Sequence, residues 1–301
     1  MTCVFVVLHY LSFEMTMECV DALIKLYVET HKIKIIIVDN GSLNGSGEQL
    51  LKQYEKNSAC EVILNEENVG FANGNNIGYA YAKKMYSPDY IVVMNNDVII
   101  KDKEFVNKIE KIYQETPFYI MGPDIVNKEG KHQSPMSIHG YTRTQIEGII
   151  NVRSRRLKHY MLFYTKKWCR CRISECLKRK RVRVDQSLWK TQHEYPVIHG
   201  ACIIFSHKYI KKEEYAFDRR TFLYFEEDIL QYLCKKKGYL LLYSPELQVF
   251  HMEDVSTNMA FRSNYKKMKM KYKHLIDSAS VMLNIMEEFE NGTNERQGRG
   301  R

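Results

Sequence analysis

The stretch DYIVVMNNDVII, Asp89–Ile100, runs an unbroken apolar segment, Ile91–Met94, into the polar triplet Asn95-Asn96-Asp97 before apolar residues resume at Val98. A short run that is apolar at every position predicts a strand buried on both faces, as in a parallel sheet. The same signature recurs in CVFVVL (Cys3–Leu8), KIIIV (Lys34–Val38), CEVIL (Cys60–Leu64) and FYIMG (Phe118–Gly122). Between these runs, apolar residues return at helical spacing: Phe13, Met17, Val20 and Leu23; Leu50, Leu51 and Tyr54; Ile77, Ala80 and Tyr81; Phe105, Ile109 and Ile112. Strands alternating with helices of this length form βαβ units. The expected fold class is therefore α/β, a mostly parallel central sheet flanked by helices.

Such sheets bind ligands beyond the carboxyl ends of their strands. His9 and Tyr10 follow the first strand, Asp39, Asn40 and Ser42 the second, Asn65 and Asn68 the third, and Asn95, Asn96 and Asp97 the fourth. Four polar strand ends on one edge define the candidate site. Taken singly, each also fits plainer chemistry. Asp39 opens Asp-Asn-Gly-Ser, a good Asx turn, yet a carboxylate there suits ribose hydroxyls or a base N–H. NVGFANGNNIG (Asn68–Gly78) places Gly70, Gly74 and Gly78 four residues apart. It matches neither the dinucleotide fingerprint nor a phosphate loop, and fits either a helix-capping loop or close backbone approach to a ligand. Asp97 fits a turn, or a ligand of Mg²⁺ or Mn²⁺ bridging a diphosphate. Glu226, Glu227 and Asp228 open a helix that ends at Gly238. Acids in a first turn favour the helix dipole, and one of them could act as a general base. LLLY and LQVFH read as short strands around Pro245, the second ending in His251.

Composition is that of a soluble globular chain, 45% hydrophobic and 27% charged, and the net charge of +9 suits an anionic partner. The charge is localised: Arg153–Lys190 holds fourteen Lys or Arg against two acids, Glu175 and Asp185. Tyr160, Phe163, Tyr164, Trp168 and Trp189 lie among them, which fits a solvated insertion or contact with an anionic membrane surface. No stretch of about 20 apolar residues appears, and MTCVFVVLHY reads as a core strand, not a signal peptide. The eight cysteines form no framework; Cys3, Cys60 and Cys202 sit in apolar runs as reduced thiols, in keeping with a reducing cytosol. Cys169, Cys171 and Cys176 lack the paired spacing of a structural zinc site.

In this order and combination, VVLHY, IIVDNGS, NVGFANGNNIG, VMNNDV, HGACIIF, FLYFEEDIL and PELQVFH resemble glycosyltransferase family 2, the inverting GT-A enzymes, over about residues 3 to 251. The nearest likeness is to bacterial rhamnosyltransferase-like members that build surface polysaccharides. The resemblance implies a dTDP- or UDP-sugar donor, a glycan or polyprenyl-linked acceptor, and a divalent cation. It places Asp39 at the nucleotide, with His9, Tyr10, Asn40, Asn68, Gly70, Phe71, Gly74, Asn75, Asn95 and Asn96 around the donor. It assigns Asp97 and His251 to the metal and diphosphate, and the cluster Glu226, Glu227 and Asp228 to the base. Asn95 stands where the family's D-x-D has its first acid. Glu-Glu-Asp replaces the usual Glu-Asp, so Glu227 and Asp228 both remain candidates for the base. The implied location is cytoplasmic, peripheral on the inner membrane face.

The expected organisation is a nucleotide-sugar half at 1–125 and an acceptor and catalytic half at 126–255 that includes a basic insertion at 141–195. C-terminal helices at 256–290 and a disordered tail at 291–301 complete it. Other classes fit less of the chain. A nucleic-acid binder accounts for the basic stretch but not for the acidic, Asn-rich strand ends. A nucleotidyltransferase needs a Gly- and Arg/Lys-rich loop after the first strand, and LHYLSFE offers none. An inactive relative serving as a scaffold is kept open by Asn95.

Overall fold

The computed structural model describes residues 1–26, 31–159, 187–252 and 264–298. Cys169, Cys171, Cys176, Tyr160, Phe163, Tyr164, Trp168 and most of the basic stretch lie outside these residues.

The chain divides into two units. The larger is built on a sheet with strands β1 (Thr2–His9), β2 (Lys32–Asp39), β3 (Cys60–Leu64), β4 (Tyr90–Asn95), β5 (Val98–Ile99), β6 (Ile120–Asn127), β7 (His193–Glu194), β8 (Cys202–Ser206) and β9 (Leu241–His251). Their spatial order is β3-β2-β1-β4-β8-β6-β9-β5, with β7 paired to β9. The helices are α1 (Phe13–Ile24), α2 (Ser46–Tyr54), α3 (Gly70–Tyr86), α4 (Phe105–Glu115), α5 (Arg143–Lys158), α6 (His207–Lys212), α7 (Glu226–Lys237) and α8 (Asn264–Gly298).

The apolar runs do form buried strands. Val4, Val6, Ile36, Ile91 and Val93 pack on the face that carries α3, and Phe5, Val7, Ile35, Ile37 and Val92 on the other. β1 to β4 are parallel throughout, with His9 opposite Asp39 and Leu8 opposite Asn95. Beyond β4 the sheet is mixed, because β8 runs antiparallel to both β4 and β6. Two reversals restore the original direction, so β6 and β9 also end at the edge where β1 and β4 end.

Several elements differ from their sequence signals. LLLY and LQVFH are one strand, β9: its register against β6 jumps from Pro123↔Ser244 to Asp124↔Gln248, which leaves Pro245 in a bulge where its missing N–H is harmless. The basic stretch opens with a helix, α5, whose start is a capping box: the Thr142 side chain accepts from the Gln145 N–H, and Gln145 Oε1 accepts from the Thr142 N–H. Residues 291–298 continue α8, because extending a formed helix costs far less than nucleating one. As its glycine signalled, α7 ends at Gly238 (φ +67°), and the Tyr239 N–H closes the helix on the Cys234 carbonyl. The second unit holds α5 and α8 packed antiparallel; Arg143 Nη1 and Nη2 pair with Glu287 and Glu290, each at 2.9 Å, and Arg153 lies over the Tyr272 ring. None of the described helices is long and apolar enough to cross a membrane.

α3 lies close against the sheet because one of its faces carries no side chains. A Cβ on Gly78 would stand 2.3 Å from Val6 Cγ1, and one on Gly74 2.7 Å from Leu8 Cδ1. By contrast, Gly148 on α5 has open space around it. The same substitution should therefore act oppositely at the two sites. Gly148→Ala should stabilise by about 1 kcal/mol through helix propensity. Gly78→Ala should destabilise by about 1–3 kcal/mol, because Val6 is a buried β-branched side chain that cannot yield. Urea unfolding of the two variants measures both signs.

Candidate active site

The edge at which β1, β2, β4, β6 and β9 end gathers most of the residues singled out by sequence. It does so in two groups with different roles.

The first group lies around β1 and β2. His9 is fully buried. Its Nδ1 is 2.6 Å from Thr16 Oγ1 and its Nε2 2.7 Å from Ser46 Oγ, so both ring nitrogens are taken within the protein. Burial pushes its pKa down to about 4. The ring braces α1 and α2 against the end of β1; it has no nitrogen left for a donor. Asn96 is turned the same way, its Nδ2 donating to Thr16 Oγ1 at 2.8 Å. Asp39 is 4% exposed and accepts the Ser42 N–H on both oxygens (3.2 and 3.3 Å), so the Asx turn is real. Burial raises its pKa against the pull of those hydrogen bonds. A Cβ on Gly47 would meet Asp39 Oδ2 at 2.2 Å, so the carboxylate lies against the first turn of α2. Tyr10 stays partly exposed, next to Leu11, whose N–H donates to Ser42 Oγ.

Asn40 is a clamp. Its Nδ2 donates to Asn68 Oδ1 and to the Gly70 carbonyl, both at 3.1 Å, while its Oδ1 accepts the Val69 N–H. Asn68 Oδ1 also accepts the Gly70 N–H at 2.9 Å. Gly70 needs its glycine, with φ at +87° and the Phe222 carbonyl oxygen 2.4 Å from where a Cβ would be. Phe71 packs on Phe217. Gly74 is pressed on Leu8 and Asn40, and Asn75 is fully buried with Nδ2 on the Phe71 carbonyl. The glycine spacing thus serves helix–sheet packing at Gly74 and Gly78.

The second group lies at the ends of β4 and β9 and at the start of β8. Asp97 Oδ1 is buried, has no hydrogen bond, and stands 3.3 Å from His251 Nε2. His251 Nδ1 is 2.9 Å from Gln133 Oε1. With its proton on Nδ1, His251 satisfies Gln133 and turns the Nε2 lone pair towards the carboxylate oxygen, an arrangement that would suit a cation bound by both. Two ligands about 2.1 Å from one Mg²⁺ or Mn²⁺ at right angles lie about 3 Å apart, so the pair fits such an ion. Among the described residues no three His, Cys, Asp or Glu side chains form a closed metal cage. Asp97 and His251 would therefore hold a cation with ligand and water oxygens completing its shell, the usual habit of Mg²⁺. Asn95 is partly exposed, and its backbone N–H donates to the Ala201 carbonyl.

His199, which sequence reasoning passed over, stacks edge-on against His251 with ring centroids 5.4 Å apart. Burial, then the neighbouring His251, pushes its pKa down to about 4. Its Nδ1 accepts the Ala201 N–H, so the neutral ring carries its proton on Nε2. The next residue, Gly200, donates its N–H to Glu227 Oε1 at 3.0 Å, and a Cβ there would lie 2.4 Å from that oxygen. This bond ties the first turn of α7 to the start of β8. Glu226 is buried, whereas Glu227 and Asp228 are partly exposed. Burial, then the Glu227 charge, pushes the Asp228 pKa up to about 7; burial also raises that of Glu227. The chain enters α7 through Tyr224 and Phe225 at φ +78° and +68°, left-handed conformations costing about 1–3 kcal/mol each in non-glycine residues.

The family model for glycosyl transferase family 2 matches residues 4–178, and the chain belongs to that family. Its fold is GT-A. A low-salt glycan biosynthesis hexosyltransferase of Haloferax volcanii, Agl10, is 32% identical over 97 residues, covering 32% of this chain and 30% of that protein. The glycosyltransferase GlyG of Streptococcus pneumoniae is 33% identical over 98 residues, covering 33% and 29%. The matched segment thus spans under a third of either relative. Among solved structures, S. aureus TarS 1–349 superposes with a TM-score of 0.52 at 13% identity, covering 84% of this chain and 60% of that one. GalNAc-T7, solved with UDP, GalNAc and Mn²⁺, gives 0.56 at 13%, covering 88% and 49%.

Because its folded-state pKa lies above the ordinary 3.8, Asp228 stabilises the fold at acid pH, and that contribution is lost as pH rises from about 4 through 7. Asp228→Asn does not titrate. Its melting temperature relative to the parent should rise between pH 5 and pH 8, read by calorimetry at both values; parallel curves would show an unperturbed carboxyl.

Proposed function

We propose that the protein is an inverting glycosyltransferase that moves a sugar from a dTDP- or UDP-sugar to a hydroxyl of a glycan or polyprenyl-linked acceptor in bacterial surface polysaccharide synthesis. The observation that carries this reading is the sequence of groups along one sheet edge: Asp39 on the β2 side, the Asp97–His251 pair at the middle, and Asp228 on α7. TarS has also been solved with UDP, and the GalNAc-T7 structure holds UDP with Mn²⁺.

In this reading, residues 1–125 hold the donor. Asp39 takes the ribose or base, and Tyr10, Asn40, Asn68 and Gly70 fix the loops around it. Mg²⁺ or Mn²⁺ bound at Asp97 and His251 supplies positive charge to the leaving diphosphate. His199 directs its Nε2–H as a neutral donor. Residues 126–255 carry the acceptor and the base. Asp228 is assigned as that base: its pKa of about 7 is matched to proton transfer near neutrality, whereas Glu227 spends an oxygen on the Gly200 N–H. Asp228 takes the acceptor hydroxyl proton, the oxygen bonds to the anomeric carbon from the face opposite the diphosphate, and the nucleoside diphosphate leaves with the broken C–O bond's electron pair. The site faces cytoplasm in this proposal, with peripheral contact to an anionic membrane through the basic stretch. Arg153, Arg155, Arg156 and Lys158 on α5 support that contact, since no acid follows Glu147 there.

Hydrolysis of a panel of UDP-, dTDP- and GDP-sugars with Mn²⁺ tests the activity. Asp97→Ala and metal chelation should both abolish turnover, and Asp228→Asn should lower kcat by about 10²–10⁴. Glu227→Gln removes the charge that raises the Asp228 pKa, so the acidic limb of its pH–rate profile should move to lower pH. Full activity in Asp97→Ala would exclude the metal role, and a profile unchanged in Glu227→Gln would exclude Asp228 as the titrating base.

A further inference from the structure

A cavity of about 610 Å³ lies on a face of α3 adjoining the one pressed on the sheet, and no carboxylate lines it. Val69, Asn73, Asn76, Ile77 and Ala80 form one side, and the segment Tyr215–Arg220 stands opposite. The volume falls within the range of about 300–1,000 Å³ usual for small-molecule sites. The walls are tied together. Asn76 Nδ2 donates to the Phe217 carbonyl and its Oδ1 accepts the Phe217 N–H, both at 2.9 Å. Asn73 Nδ2 donates to the Arg219 carbonyl at 3.2 Å. The amides are thus spent on holding the cavity open, and Val69, Ile77 and Ala80 leave its interior apolar.

The two arginines at the rim differ. Arg220 is neutralised by Asp218 through contacts of 3.0 and 2.9 Å. Burial would raise the Asp218 pKa, but these hydrogen bonds hold it below its ordinary value. Arg219 lies 4.9 Å over the Tyr215 ring and donates to its hydroxyl at 3.3 Å. No carboxylate among the described residues pairs with it. The cavity therefore offers an apolar interior and a guanidinium that no carboxylate among the described residues pairs with, held in place by an aromatic ring. A nucleotide would bring several charges and a polar base with no partners here, and a neutral sugar would find too few free hydrogen-bonding groups. A guanidinium fork matches phosphate oxygens.

We propose that this cavity is a second binding site, which takes the apolar chain and phosphate of an amphiphilic phosphate ester, with the chain against Ile77 and Ala80 and the phosphate on Arg219. The site stands independently of the donor-site assignment. Titration calorimetry with dodecyl phosphate below its micellar concentration tests it on the full chain, beside dodecyl maltoside as the same chain on a neutral head and inorganic phosphate as the head alone. Dodecyl phosphate should bind one to one. Arg219→Gln should weaken it at least tenfold, and Ala80→Phe, which fills the cavity, should abolish it; Ala80→Leu serves if the larger side chain fails to fold. All three variants should keep the parental nucleotide-sugar hydrolysis. Equal affinity for dodecyl maltoside would remove the anion requirement, equal affinity for inorganic phosphate would remove the apolar one, and unchanged binding in the filled variant would place the ligand elsewhere; each overturns the proposal. Loss of hydrolysis across the donor panel with dodecyl phosphate binding intact would count against the glycosyltransferase reading alone.

Discussion

The donor side of the site depends on one buried hydroxyl. Thr16 Oγ1 meets His9 Nδ1, accepts from Asn96 Nδ2 and donates to the Ser12 carbonyl. These contacts join the end of β1, the turn after β4 and the start of α1, and His9 extends the chain through Ser46 to Asn44 Oδ1 at the start of α2. Between the carbonyl of Ser12 and that of Asn44 lie four contacts. A neutral imidazole and two hydroxyls supply three protons for them; only a charged imidazole would fill all four. Burial keeps the ring neutral, so the network is closed by geometry and not by a full set of donors. The network fixes the chain on either side of the strand ends that carry Asp39 and Asp97.

Electrostatics accounts for the rest of the arrangement. Asp39, Asp97, Glu227 and Asp228 are drawn into low dielectric along one edge, and three of them have raised pKa values because burial disfavours their charge. The left-handed turn at Tyr224 and Phe225 adds backbone strain directly ahead of the acids. Both are costs that a purely structural role for these residues would leave unexplained, and both are ordinary at sites where chemistry needs a group held off its resting preference. A cation held at Asp97 and His251, as proposed, would offset part of this concentration of negative charge.

Much of this was legible in the sequence. Unbroken apolar runs mark β1 to β4 within about two residues at each end, since a strand covered on both faces has no polar position to confuse it. Asp39, Asn40 and Asp97 follow strands whose ends the structure does bring to one edge, and Asp97 and His251, expected together from family motifs, do lie side by side. Three things were not legible. His9, Asn75 and Asn96 carry the composition of a ligand loop, yet each side chain makes a hydrogen bond within the protein that one chain's sequence does not reveal. His199 precedes its strand and so carries no strand-end signal; β8 runs backward, so its leading end meets the site. The helix α5 was masked by its basic composition, although the Thr142–Gln145 pair that caps it is visible in the sequence.

The reversed strand also bears on how the chain is made. β4 has β1 on one side and β8 on the other, and Ile91–Met94 are wholly buried only when both are present. β6 is synthesised sooner but pairs with β8, not with β4. At translation rates of about 5–20 residues per second, the hundred or so residues between Asn95 and Cys202 take about 5–20 s to appear. For that interval the nascent chain presents an apolar strand edge with unpaired hydrogen-bonding groups, the kind of edge that invites pairing with another chain. The strand that carries His199 to the active edge is thus also the one that seals the protein against its own aggregation during synthesis.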